Sequence, residues 1–246
     1  MKIKPVVILV DPQLGENIGA VARAMLNCNL DELRIVRPRD GWPNKMALKT
    51  SVGASDVVKK AKVFDDTKKA VADLQNVFAC TARLRDVQKP IVDEKEGAIL
   101  LSNYCFEGQK CGVLFGGESS GLSNEEISYA DTVLTIGINP KFSSLNLAQA
   151  VLIVMYNWYT FAYNYLKKNE TKILSKNAPK KEIFKLFQHL EKELLLGGFL
   201  NPPERTPSVL NSLRAIIQRA NLNEKEVKML RGVIKSIKRA GKYVDR

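Results

Sequence analysis

Three short segments hold the residues whose types and spacing suit chemistry. The run Gly116-Gly117-Glu118-Ser119-Ser120-Gly121 follows the apolar stretch Gly112 to Phe115. Two glycines just after a buried strand let backbone amides approach a ligand, with Glu118 beside them. The run continues with Leu122 where a P-loop needs Lys, and no GxGxxG occurs, so ATP and dinucleotide cradles gain no support. Taken alone, the run is also readable as a turn with a helix cap. In the second segment, Asp11 to Asn17 leads into Ile18 to Met25. There Asn17 fits an N-cap, and Arg23 is a lone cation among small residues. In the third, Asn139 to Leu147, the hydroxyls of Ser143 and Ser144 and the amide of Asn146 stand before a long uncharged stretch. Such groups hold a small polar ligand or cap the helix.

Other chemistries fit poorly. Cys28, Cys80, Cys105 and Cys111 have no CxxC spacing and His189 is the single histidine, so the sequence predicts no metal site and no disulfide framework. One imidazole in a basic helical segment is a weak basis for a nucleophile system. The chain reads as cytoplasmic. The apolar run Val6 to Val10 is too short for a signal peptide. The uncharged stretch Phe142 to Leu166 carries too many polar residues for a membrane span; a helix buried against the body or a second subunit is the better reading.

The elements that must position these segments alternate. Short β-rich runs at Val6 to Val10, Leu33 to Val36, Val77 to Cys80, Gly112 to Phe115 and Thr132 to Ile136 are separated by helical patterns at Asn17 to Asn27, Thr67 to Leu74 and Asn124 to Tyr129. This alternation predicts an α/β fold, a parallel sheet covered on both faces, over residues 1–165. Residues 166–180 are lysine-rich and polar and read as a linker. Residues 181–246 form a small all-helical unit, with Ile183, Leu186, Phe187, Leu190 and Leu194 at helical spacing, Gly197 and Gly198 as a stop, and two further helices near 208–220 and 224–240. Charge divides the same way. Residues 1–165 hold 19 basic and 18 acidic residues, a net of +1, whereas residues 166–246 hold 19 and 8, a net of +11. A one-sided positive field of this kind points to nucleic acid. Arg214, Arg231 and Lys235 are among its candidate phosphate contacts.

Taken in order, the three segments resemble the SPOUT superfamily of RNA methyltransferases, in its TrmH-type 2'-O-ribose branch. The resemblance is carried by Asn17-Ile18-Gly19-Ala20-Val21-Ala22-Arg23-Ala24, by Leu114 to Glu126, and by Ile138 to Val151. The extension, with Leu195-Leu196-Gly197-Gly198-Phe199 and Leu230-Arg231-Gly232-Val233, resembles the TrmJ subgroup, which methylates nucleotide 32 of the tRNA anticodon loop. The resemblance implies a C-terminal trefoil knot in the sheet domain, S-adenosylmethionine as methyl donor, tRNA as substrate and a homodimer that completes the site. By motif it assigns the cofactor to Cys80, Thr81, Ala82, Gly116, Ile136, Ser143, Ser144 and Leu145. It assigns catalysis to Arg23, with Asn17, Glu118 and Ser143, and RNA contact to Arg83 and Arg85. Gly117-Glu118-Ser119 departs from many relatives, in which arginine often occupies one or both of the positions flanking the glutamate.

Arginine stays protonated and is a poor base, so Arg23 is expected to grip a phosphate and orient the ribose hydroxyl, with proton loss late or to water. Two alternatives stand beside this reading. One is a ribosomal RNA 2'-O-methyltransferase; the other is a non-catalytic RNA-binding protein on the same scaffold.

Overall fold

The computed structural model describes residues 3–82, 88–166 and 177–244. The sheet domain runs β1 (Val6–Val10), α1 (Gly15–Asn27), β2 (Leu33–Val36), α2 (Lys45–Thr50), α3 (Ser55–Lys59), β3 (Lys62–Phe64), α4 (Thr67–Val71), β4 (Asn76–Cys80), β5 (Ile91–Val92), α5 (Glu94–Phe106), β6 (Cys111–Gly116), α6 (Asn124–Ser128), β7 (Thr132–Leu134) and α7 (Leu147–Leu166). The extension is α8 (Lys180–Leu196), α9 (Thr206–Arg219) and α10 (Glu224–Val244).

The seven strands form one parallel sheet in the order β3-β2-β1-β6-β4-β7-β5. Both faces are covered, and β1 shows how. Its five residues are all buried; Val7 and Leu9 enter the core with α1, α5 and α7, while Val6, Ile8 and Val10 enter the core with α4 and α6. The two-residue period of a strand therefore feeds two cores, and a continuous Val/Ile/Leu run is the composition that demands. Each such side chain removed from water contributes about 1.5–3 kcal/mol before chain entropy is charged against it.

All five strands expected from the sequence are present. β3 and β5 are additions. They are edge strands of three and two residues, and β3 has two exposed positions, so neither shows an apolar run. The additional helix α5 hides its signal behind Gly97. A Cβ there would meet Leu134 Cδ1 at 2.6 Å, so the glycine lets the helix lie close to β7. The capping signal that starts α5 is nevertheless present, since Asp93 accepts from the Lys95 and Glu96 N–H groups. α7 buries one face against α1 and α5, and among the described residues no helix is long and apolar enough to cross a membrane.

The extension has its own small core of Ala178, Ile183, Leu186 and Val227. Of the expected linker, position 166 ends α7, and positions 177–180 are described and packed. Asn177 Nδ2 donates to Asn76 Oδ1 at 2.8 Å, and the Lys180 N–H donates to the Leu74 carbonyl. Lys180, 2% exposed, opens α8 with its ammonium on Asp131.

Candidate functional site

The site begins where β1 and β6 end side by side, with Val10 paired to Gly116. Parallel sheets bind ligands outside the carboxyl ends of their strands. The loop after β6 is folded so tightly that only glycine fits: a Cβ on Gly116 would lie 2.1 Å from the Gly121 carbonyl carbon, and one on Gly117 would lie 2.3 Å from the Asp11 carbonyl oxygen. Gly121 has φ of +66° and closes the turn by donating to the Gly117 carbonyl at 2.9 Å.

Glu118 projects from this loop into the segment after β1. Its carboxylate accepts from the Gln13 N–H at 2.8 Å, the Leu14 N–H at 3.3 Å and Asn17 Nδ2 at 2.6 Å. The expectation that Asn17 caps α1 is corrected here. The cap position is Leu14, without a side-chain cap, and the Glu118 carboxylate from a distant loop meets the N–H groups at the helix start, where the dipole also favours an anion. Asn17, freed of that role, links Glu118 to the third segment: its Oδ1 accepts from Asn146 Nδ2 at 2.9 Å, and Asn146 Oδ1 caps α7 through the Ala148 N–H. One hydrogen-bonded chain therefore joins all three segments. Burial works against the charged form of Glu118, but bonds from Asn17 and from the Gln13 and Leu14 amides hold its carboxyl below the usual carboxylate range.

Beside this chain lies a cleft of about 230 Å³. Its wall includes Cys80, Thr81, Ala82, Gly116, Ile136, Ser143, Ser144 and Leu145, all eight residues singled out for the cofactor, together with Glu118. Phe115, Gly117, Ile138, Leu147 and Ala150 complete much of the rest. These five lie within the segments quoted from the sequence, although none of them was assigned to the cofactor. Burial pushes the Cys80 thiol up to about 12, so it stays neutral. The wall is otherwise glycine, apolar side chains and hydroxyls.

Other expected residues fall elsewhere. Arg23 is exposed on α1, outside the cleft wall, with no hydrogen bond or ion pair to a described residue. Arg83 and Arg85 lie outside the described residues. Arg214 sits over the Phe187 ring at 4.6 Å, half-buried where the extension meets the body, and so acts as packing as much as surface charge. Arg231 is exposed, 3.9 Å from Glu182, and Lys235 is exposed. His189 lies on α8, away from the cleft, with a buried Nδ1 that has no hydrogen-bond partner among the described residues. Among the described residues no cluster of His, Cys, Asp or Glu suits a metal ion.

Sequence reasoning missed the seam that fixes the extension. Lys89, 8% exposed, donates to the Ser128 carbonyl at 2.8 Å, to the Ala130 carbonyl, and to Gln218 Oε1 on α9 at 2.6 Å. Asp131 takes the Lys180 ammonium and the Val77 N–H. A lone lysine in a polar stretch carries no such signal in sequence.

Known proteins share this arrangement. The family model for the SpoU rRNA methylase family matches residues 4–156, and that for the TrmJ tRNA methyltransferase C-terminal domain matches residues 181–245. The chain is 32% identical over 241 residues to a Klebsiella pneumoniae protein named tRNA (cytidine/uridine-2'-O-)-methyltransferase TrmJ, covering 96% of this chain and 97% of that one. It is 33% identical over 235 residues to an uncharacterized tRNA/rRNA methyltransferase of Haemophilus influenzae, covering 95% and 94%. The crystal structure of TrmJ from Z. mobilis superposes with a TM-score of 0.86 at 40% identity, covering 95% of this chain and 99% of that one. A hydrogen-bonded junction of three segments beside a glycine-walled cleft, on a parallel sheet with a helical extension, is thus accounted for: the chain belongs to the SpoU methylase family and carries its TrmJ-type C-terminal domain.

Proposed function

We propose that the chain transfers a methyl group from S-adenosylmethionine to a ribose 2'-hydroxyl of tRNA, at nucleotide 32 of the anticodon loop, working as a homodimer in the cytoplasm. The observation that carries this reading is the convergence on one cleft of eight residues drawn from three separate stretches of chain. The cleft fits the cofactor's chemistry. It brings backbone close at Gly116, where a Cβ would have no room, offers hydroxyls at Ser143 and Ser144, and among the described residues its one charged side chain is the anionic Glu118, which suits a ligand bearing a positive sulfonium.

When bound, S-adenosylmethionine supplies an electrophilic methyl. The chain's own task is placement, since transfer to a weak nucleophile gains most from in-line positioning. The chain Glu118–Asn17–Asn146 holds the cleft loop, the start of α1 and the start of α7 in one geometry. No described residue of the wall is a free base: the Cys80 thiol is neutral, and Glu118 is held low by its donors. The hydroxyl proton therefore leaves late or to water, and Arg23 orients the substrate through a phosphate.

Arg23 stands outside its own cleft wall, so the dimer reading gives it a cleft in the second copy. Leu26 on α1 and Tyr156 on α7, 49% and 58% exposed on two helices that pack together, supply apolar surface for that contact. The tRNA reading rests on the TrmJ-named relatives and on α10, where Lys225, Lys228 and Lys235 are exposed at three- and seven-residue steps that share a helix face.

The test is transfer of tritiated methyl to unmethylated total tRNA and ribosomal RNA, with the product nucleotide mapped. Label at nucleotide 32 of tRNA is the expected result. Label in ribosomal RNA alone would overturn the substrate, and no label in either, with no binding of S-adenosylmethionine, would overturn the enzymatic reading.

A further inference from the structure

A ribose reaching the cleft brings flanking phosphates with it, yet among the described residues the one charged side chain of the cleft wall is the anionic Glu118. Besides the phosphate given to Arg23, a cation beside the wall is placed to meet a second one. We propose that Arg39, on the loop between β2 and α2, is a positioning residue that holds a substrate phosphodiester at the mouth of the cleft; this rests on the tRNA reading above.

The loop is fixed at the cleft by a shared grip. The Arg39 N–H donates to the Pro12 carbonyl at 3.1 Å, and the next residue, Gln13, donates its N–H to Glu118 at 2.8 Å. Arg39 and Glu118 therefore hold adjacent residues of one loop, and the guanidinium lies within electrostatic reach of that carboxylate. Gln13 also reaches the cleft wall directly, through Nε2 to Ser119 Oγ.

Two arginines leave β2 on this loop, and they are differently committed. Arg37, with φ of +47°, places Nε and Nη2 on Asp11 at 2.8 Å each and Nη2 on Glu126 at 2.5 Å. The Glu126 side chain is 9% exposed, so Arg37 neutralises a nearly buried carboxylate and ties β1, β2 and α6 together. Among the described residues the Arg39 side chain has only its chain neighbour Asp40, at 2.8 Å, with both side chains about half exposed. An exposed pair of this kind is screened by solvent and holds its partners only weakly. A phosphate displaces Asp40 readily, because the guanidinium fork donates to two of its oxygens at once and carries its charge at every working pH. Arg37 is thus structural, and Arg39 is available to substrate.

The experiment compares wild type, Arg39→Ala, Arg39→Lys and, as a control for net charge, Lys59→Ala, whose cation is paired only with Asp56 at 3.9 Å on the exposed side of α3. Binding of unmethylated tRNA is measured across a salt series, with KM and kcat for methyl transfer and binding of S-adenosylmethionine alone. Arg39→Ala is expected to weaken tRNA binding about tenfold and to lower the slope of log Kd against log salt by about one. The loss should appear in KM for tRNA and spare binding of S-adenosylmethionine. Arg39→Lys should regain the salt slope but only part of the affinity, since it keeps the charge and loses the fork. Wild-type affinity and slope in Arg39→Ala, or an equal loss in Lys59→Ala, would overturn the assignment while leaving the functional reading intact. A wild type that neither binds nor methylates tRNA overturns both.

Discussion

Replacing Asn17 by Asp tests whether the Glu118–Asn17–Asn146 chain sets the cleft. The new carboxyl occupies the same volume and still accepts from Asn146, but where Asn17 Nδ2 donated to Glu118 at 2.6 Å an oxygen now faces an oxygen. Two costs follow when both carboxyls are ionised. A charge-assisted hydrogen bond of roughly 1.5–3 kcal/mol is lost. Repulsion between charge centres about 4 Å apart adds about 4 kcal/mol at an effective dielectric of 20, and partial exposure of Glu118 roughly halves it. If half of the combined cost, about 2 kcal/mol, is relieved by movement of the glycine loop, S-adenosylmethionine binding weakens about thirtyfold. As pH falls the pair takes up one proton, the carboxylic O–H replaces the lost amide donor, and binding returns. Titration calorimetry from pH 8 to pH 5 should therefore show a steep recovery in Asn17→Asp. Asn17→Ala, which has no donor at any pH, should bind weakly and nearly independently of pH. Wild-type affinity in Asn17→Asp at pH 8 would show that the chain does not set the cleft.

Two further substitutions probe the loop and the seam. Gly116→Ala forces a Cβ to within 2.1 Å of the Gly121 backbone, so the loop must move; cofactor binding should fall at least tenfold, measured by calorimetry, at a cost in folding stability of about 1–3 kcal/mol. Lys89 is pushed down to about 7 from its ordinary 10.5, chiefly by burial. Between those values the unfolded chain binds a proton that the folded chain does not, so Lys89 makes stability rise with pH, by up to about 1.4 kcal/mol per unit. Denaturant unfolding at pH 7 and pH 8.5 should show that rise in wild type and lose it in Lys89→Met. The comparison stops there because burial raises Cys28 to about 11 and Cys80 to about 12, and such thiols make stability fall once the pH passes the ordinary thiol range. An equal rise in both proteins would refute the assignment to Lys89.

What could be read in the sequence follows from how local each physical signal is. The strand run Val6 to Val10 is legible because a strand buried on both faces must be apolar at every position, and the structure sends those positions alternately into two cores. Glycines 116 and 117 were legible as a close approach, though what they approach, Gly121 and the Asp11 carbonyl, lies across a loop and across the sheet. The loop-holding role of Glu118 is not legible in the sequence because its three donors lie about a hundred residues away; no spacing rule encodes such a pairing. Asn17 was misplaced for the same reason, since local propensity favours Asn as a cap and a distant carboxylate had already met that need. The knot and the cofactor residues were reached only through family resemblance. The non-local contacts also divide the arginines: Arg37 and Arg39 are two residues apart and equivalent in composition, yet one is spent on Asp11 and Glu126 while the other holds only an exposed neighbour. Whether a charge belongs to the fold or to a substrate is decided by what already faces it, and that is visible only once the chain is folded.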